Sequence, residues 1–272
     1  MKKLLKHEFI ATARVLVFVY CAAALAVVFG RIAYLTEINA LIAASTVLMV
    51  IGMGASLLLP VVLVVQRFFT SMFGEQGYLT NTLPVSAKKL VLSKLIVAYV
   101  WLISGYVVVC GMVLSLLWFI RGKVPDFSAG LQEVLDMVGL TRSVMVQAGI
   151  FFAVVTLVQL LFFAVGVMFA ITLAHLPLFW KRQGLVAFAA FVVLYIVDQM
   201  VESVLVFFFP FGVKITPNGL LLVAEGTGLR FGQQTLDGLI IGLGSVFFEL
   251  AAIAALFFVI SWLVKSKTSV RG

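Results

Sequence analysis

The sequence predicts an all-α integral membrane protein built on six transmembrane helices. Three observations carry that class. Of the 272 residues, 64% are apolar and only 11% are charged, against about 45–50% and about 25% in a soluble globular chain. The apolar residues are gathered into six runs, each close to the roughly 20 residues that a bilayer crossing needs. The net charge of +8 is carried by the short segments between those runs, as membrane topology rules require. So much apolar surface cannot all be buried in a water-soluble domain of this size. A soluble enzyme, a disordered chain and a disulfide-rich secreted fold are excluded.

The elements follow in order within a single domain, 1–272. Residues 1–14 set Lys2, Lys3, Lys6 and Arg14 around Leu4, Leu5, Phe9 and Ile10. That pattern predicts a basic amphipathic helix lying in the membrane interface. The first span covers about 15–30, and a tight polar link from Arg31 to Ile38 follows. The apolar run continues past the small residues Ala22–Ala24, so it reads as a span and not as a cleaved leader. The second span covers about 40–65, with Gly52, Gly54 and Pro60 permitting close packing or a kink. A polar stretch over 66–94 leads to the third span at about 95–120. Within 121–147, Leu131, Val134, Leu135 and Val138 recur at helical spacing. The fourth span is about 148–174, and a basic turn over 175–184 leads to the fifth, about 185–206. The sixth is about 238–264, opening on a G-x-x-x-G pair, Gly238 and Gly242, suited to close helix approach.

Charge sets the orientation. Segments 1–14, 66–94, 175–184 and 265–272 hold 13 of the 19 Lys and Arg residues. Positive charge stays on the cytoplasmic side, so both termini are expected in the cytoplasm, as an even number of spans requires. Trp101, Trp118, Trp180 and Trp262 fall near predicted span ends, as interfacial anchors do.

The search for catalytic chemistry is negative. No G-x-x-x-x-G-K-[ST] phosphate cradle, H-E-x-x-H zinc pair or G-x-S-x-G elbow is present. Cys21 and Cys110 lie inside apolar runs and read as small core residues rather than a disulfide. Two histidines, His7 and His175, make a zinc site improbable. The chain is therefore expected to be no enzyme and to hold no metal or cofactor of its own. The scattered basic charge points away from nucleic acid.

The segment between the second and third spans carries the signal. It reads Phe73-Gly74-Glu75-Gln76-Gly77-Tyr78-Leu79-Thr80-Asn81-Thr82-Leu83-Pro84-Val85-Ser86. Gly74 and Gly77 allow turns, Pro84 ends any preceding helix, and Ser86 can cap a helix starting at Ala87. A short helix over about 75–82 is thus set between two breaks. One reading is a solvated loop. But Phe73, Tyr78, Leu79 and Leu83 have little use in water, and a helix mixing aromatics with one acid suits docking into a groove on another protein.

This run, with E-x-G-Y-L-x-x-T-L-P at 75–84 as its most specific part, resembles the segment between the second and third spans of bacterial ABC-2-type permease subunits. The six-span layout, the basic N-terminal helix and the apolar outer loop are similar too. The resemblance implies a multi-pass protein of the bacterial plasma membrane that pairs with a second permease copy or a related permease. It implies two cytoplasmic ABC ATPase subunits, which would bind the ATP and Mg that this chain does not. Phe73, Glu75, Gly77, Tyr78, Leu79, Thr82, Leu83 and Pro84 would form the coupling helix seated on the ATPase. The outer loop around 203–235 would hold re-entrant helices. Export is the implied direction, with an amphipathic or hydrophobic cargo such as a peptide, drug or lipid.

Three acids lie in the predicted spans. Asp198 is about 20 Å along the fifth span from Leu185, and Glu249 is roughly 17 Å into the sixth. Glu202 follows Asp198 by four residues and shares its helix face. Intramembrane acids default to a functional reading, here a substrate pathway or a proton site. The alternative is pairing with outer-loop Arg or Lys, or with Gln159, and Glu202 also fits an interfacial position. A second reading of the whole chain is a stand-alone membrane protein, such as a bacteriocin-immunity or assembly factor, with no ATPase.

Overall fold

The computed structural model describes residues 2–74, 86–121, 129–130, 132–133, 141–216, 219–224 and 239–266. Helices α1 (Lys2–Thr36), α2 (Asn39–Met72), α3 (Ala87–Arg121), α4 (Arg142–Ala174), α5 (Gln183–Phe208) and α6 (Gly244–Ser266) make up most of the chain. A 3₁₀ turn, Pro177–Arg182, joins α4 to α5. Between α5 and α6 lie strands β1 (Gly212–Thr216), β2 (Gly219–Val223) and β3 (Leu239–Gly242). All six α-helices are long and apolar enough to cross a membrane. The chain is a multi-pass membrane protein. Phe18, Leu25, Leu58, Leu114, Phe188 and Met200 are well exposed, an apolar surface suited to lipid or to another apolar surface rather than to water.

The described chain divides into two compact units. One contains α1, α2 and α3; the other contains α4, α5, α6 and the sheet.

In the first unit, α1 is one uninterrupted helix of 35 residues. A separate interfacial helix over residues 1–14 is therefore not what the structure has. The reason is local: no Gly or Pro occurs before Gly30, so nothing stops the helix between its charged start and its apolar body. At about 1.5 Å per residue it reaches roughly 50 Å, well beyond the ~30 Å of hydrocarbon. Its charged first turns extend the span. The link to α2 shrinks to Glu37 and Ile38, with Glu37 at φ 58°, a conformation that few non-glycine residues adopt.

Helix α3 starts at Ala87, with the Ser86 carbonyl accepting from the Lys89 and Leu90 amides at 2.9 and 3.1 Å. The third span thus begins well before residue 95, because Lys88, Lys89 and Lys94 are good helix formers and no breaker follows Ser86. Trp101 accordingly lies inside α3, its ring 5.7 Å from that of Phe9, rather than at a span end. Away from this end, Ala23, Met49, Met112 and Phe119 form the buried core, and the Tyr34 and Phe119 rings lie 5.4 Å apart. Arg31 stacks its guanidinium over Trp118, 4.1 Å from the ring centre. Neither cysteine forms a disulfide, and Cys21 is exposed. A core role for Cys21 is thereby corrected: its helix turns that position outward.

In the second unit, α4 packs on both α5 and α6. Gly166 permits the approach of α5, since a Cβ there would lie 3.0 Å from Leu194. The sheet has the order β2-β1-β3 and is antiparallel throughout. Where re-entrant helices are expected over about 203–235, residues 212–216 and 219–223 are strands, and 225–235 lie outside the described residues. Val213, Lys214, Ile215 and Thr216 alternate in the strand period, with Val213 and Ile215 buried. Gly219, at φ 147°, pairs with Thr216 in a conformation open to glycine. Gly242 is the last residue of β3 and not part of α6, so the expected G-x-x-x-G packing face at the start of the sixth span does not exist as a helical face. The helical spacing expected around 131–138 falls almost wholly outside the described residues; 129–130 and 132–133 are helical.

Candidate functional site

Two constellations stand out, one in each unit. In the second unit, the facing sides of α4 and α5, with Glu249 from α6, line a partly open cavity of about 320 Å³. Periodicity places its walls. Asp198 and Glu202 are one turn apart on α5 and share a face, as do Phe191 and Tyr195. Thr156, Gln159, Phe163 and Gly166 come from α4 at the same helical spacing. The walls are aromatic: Phe163 and Phe191 meet edge to face at 5.5 Å, and Phe162 and Tyr195 complete the lining.

The structure brings the three intramembrane acids together. One carboxylate oxygen from each of Asp198, Glu202 and Glu249 lies within 4.8 Å of the others. Asp198 and Glu249 are 4% and 3% exposed. Gln199 donates from Nε2 to a Glu202 oxygen at 3.1 Å. Among the described residues, Asp198 Oδ1 is buried with no hydrogen-bond partner, and no Lys, Arg or His lines the cavity. The pairing with outer-loop basic residues, one of the two sequence readings, is absent among the described residues. Gln159 is a neighbour in the lining. Three carboxylate charges this close repel strongly at low dielectric, so the cluster calls for shared protons or a cation. Acids within spans are visible in the sequence, but their convergence from two helices is not, nor is the aromatic wall.

In the first unit, a buried polar knot ties α1, α2 and α3 together. Lys94 Nζ donates to Glu8 Oε1 at 2.7 Å and to Ser71 Oγ at 2.6 Å. Arg67 Nε donates to Glu8 Oε2 at 3.0 Å. Glu8 and Lys94 are both more than nine-tenths buried as residues, so each charge relies on the other. Sequence reasoning counted these residues only as topology charges. Their one signal is Glu8, a lone acid in the basic run that opens the chain.

In the sequence, Ser71 and Lys94 of this knot flank the segment that bears the resemblance. Of the residues expected to dock, Phe73 is described. Its ring meets that of Phe68 edge to face at 6.1 Å, and its amide donates to the Phe69 carbonyl at 2.9 Å as α2 ends. Glu75, Gly77, Tyr78, Leu79, Thr82, Leu83 and Pro84 lie outside the described residues. Comparison with family models, with curated proteins and with solved structures finds no match.

Proposed function

We propose that the chain is the membrane-spanning permease subunit of an ATP-driven exporter of the ABC-2 type. The observation that carries this reading is the 75–84 segment, E-x-G-Y-L-x-x-T-L-P, placed between two long apolar helices, α2 and α3. In this reading both termini and the 75–84 segment face the cytoplasm of a bacterium, and the segment docks on one of two ATPase subunits. Those subunits supply ATP and Mg chemistry, and this chain contributes no catalytic group. A second permease copy or a related permease completes the pathway.

The mechanism follows from the mechanics of helices. ATP draws the two ATPase subunits together and displaces the docked segments. Helix α3 starts at Ala87, three residues beyond Pro84, so displacement enters a rigid rod almost at once. The Glu8–Lys94–Arg67–Ser71 knot joins α3 to α1 and α2 at that end. It supports a reading in which the three helices move as one body rather than bending singly. The motion shifts the equilibrium between inward-facing and outward-facing forms. The cavity around Asp198, Glu202 and Glu249 is the place where cargo would be held.

The test is purification of the tagged chain from its native membrane in mild detergent, with mass spectrometry of the partners and an assay of ATP hydrolysis. A stoichiometric ATPase, lost with Tyr78→Ala, supports the reading. A preparation free of ATPase in several mild detergents sinks it.

A further inference from the structure

We propose that the cavity of the second unit is a binding site for an amphipathic organic cation, a body with an aromatic or alkyl part and a fixed or protonated nitrogen. The proposal deepens the export reading by naming the class of cargo, but the binding site it describes needs no ATPase to exist.

Several observations point the same way. The cavity, about 320 Å³, is far larger than an ion and falls at the small end of the roughly 300–1,000 Å³ typical of small-molecule sites. Its polar end gathers Asp198, Glu202 and Glu249 within 4.8 Å. Its body is built of aromatic rings, with Phe163 and Phe191 already paired at 5.5 Å. Asp198 also lines the cavity while its Oδ1 is buried without a hydrogen-bond partner among the described residues, and among those residues no basic side chain lines the cavity. A buried carboxylate oxygen without a partner is costly, and a ligand cation offsets that cost directly. Ring faces attract cations as well, most strongly where water is excluded.

A bare metal ion fits less well. Calcium takes six to eight oxygen ligands and magnesium a near-octahedral shell, whereas beyond the acids the wall offers the neutral side chains of Thr156, Gln159, Tyr195 and Gln199 spread among Phe, Leu and Gly. Zinc favours His and Cys, and neither lines the cavity among the described residues. A cationic head at the acids with an apolar body along the rings uses the whole surface.

The probe is radiolabelled methylphenylpyridinium, a compact aromatic cation whose charge does not titrate, bound to the full chain in detergent micelles. The expected result is saturable binding at one site per chain, not displaced by uncharged phenylpyridine. Asp198→Asn and Glu249→Gln should each weaken it roughly tenfold or more, as loss of a desolvated charge contact implies. Phe191→Leu should weaken it several-fold, and Lys214→Gln, away from the cavity, should leave it unchanged. Should Asp198→Asn fail to elute as a monodisperse species, Glu202→Gln, at a less buried position, replaces it and should also weaken binding. Absence of saturable binding overturns the proposal. So does binding that neither carboxylate variant weakens, or calcium binding that depends on the triad with no organic cation bound. Failure here alongside a co-purifying ATPase leaves an exporter of another cargo. Binding without an ATPase leaves the site standing and removes the export reading.

Discussion

Glu8 and Lys94 lie 86 positions apart and meet through a 2.7 Å hydrogen bond. Arg67 and Ser71 complete the group from α2. Breaking a buried pair strands the other charge, at a cost of about 3–5 kcal/mol, whereas replacing both partners with apolar groups is often neutral. Glu8→Gln should therefore lower the thermal midpoint of the protein in detergent by many degrees. Lys94 stays buried in that variant, and Arg67 is a like charge beside it. Adding Lys94→Met to Glu8→Gln should restore most of the stability. A double variant no better than the single one would show that the pair is not what holds the three helices together.

The coupling segment yields a functional prediction. Glu75→Lys reverses a charge and Tyr78→Ala removes a large contact surface, both outside the six helices. Each variant should insert and elute normally, retain the fold, and lose transport driven by ATP hydrolysis by an order of magnitude or more. Cargo flux read in inverted vesicles is the measurement. Wild-type transport by both variants would sink the docking assignment.

How much of this is legible in the sequence depends on the range of the interactions. The six helices are legible because hydrocarbon forces a long apolar run for every crossing. Their ends are not. Residues 1–14 and 87–94 look like surface segments because they are charged, yet helix hydrogen bonding runs through Lys and Glu as readily as through Leu. Phe207 to Gly212 reads as an apolar loop, and the alternation of Val213, Lys214, Ile215 and Thr216 is too short to stand against it. The presence of Asp198, Glu202 and Glu249 in spans is plain, but their meeting is a matter of tertiary packing. The Glu8–Lys94 contact is equally hidden, since nothing local to either residue names the other.

His175 gives a dependence on pH. It follows the end of α4, outside the spans, and its Nδ1 donates to the Ile171 carbonyl at 2.7 Å. Burial lowers its pKa below the usual imidazole value, and the bond to Ile171 opposes that only in part. The unfolded chain then binds a proton at higher pH than the folded one. Stability is fully present above about 6.5, the unperturbed value, and falls as the pH drops through it. His175→Gln should flatten that decline in thermal scans taken across this range. An unchanged profile would assign the decline to other groups.

A close approach of α2 to α3 at Gly105 makes the last prediction. Pro60 lies inside α2 and has no amide hydrogen, so it leaves the carbonyl four residues earlier, that of Ser56, without its helical donor. That carbonyl points at Gly105 of α3, where an added Cβ would collide with the Ser56 oxygen and also stand 3.2 Å from Pro60 Cγ. The obstacle is backbone, which cannot swing aside as a side chain can. Gly105→Ala should therefore cost stability, by about 1–3 kcal/mol for an overpacked contact, although alanine is the better helix former by about 1 kcal/mol. Gly54 and Gly111 sit in the same two helices with nothing within 4 Å of a Cβ. There the propensity term acts alone, and Gly54→Ala and Gly111→Ala should be neutral or stabilising. Thermal midpoints of the three variants, measured side by side in one detergent, separate the two effects. Equal behaviour of all three would mean that α2 and α3 do not meet at Ser56 and Gly105.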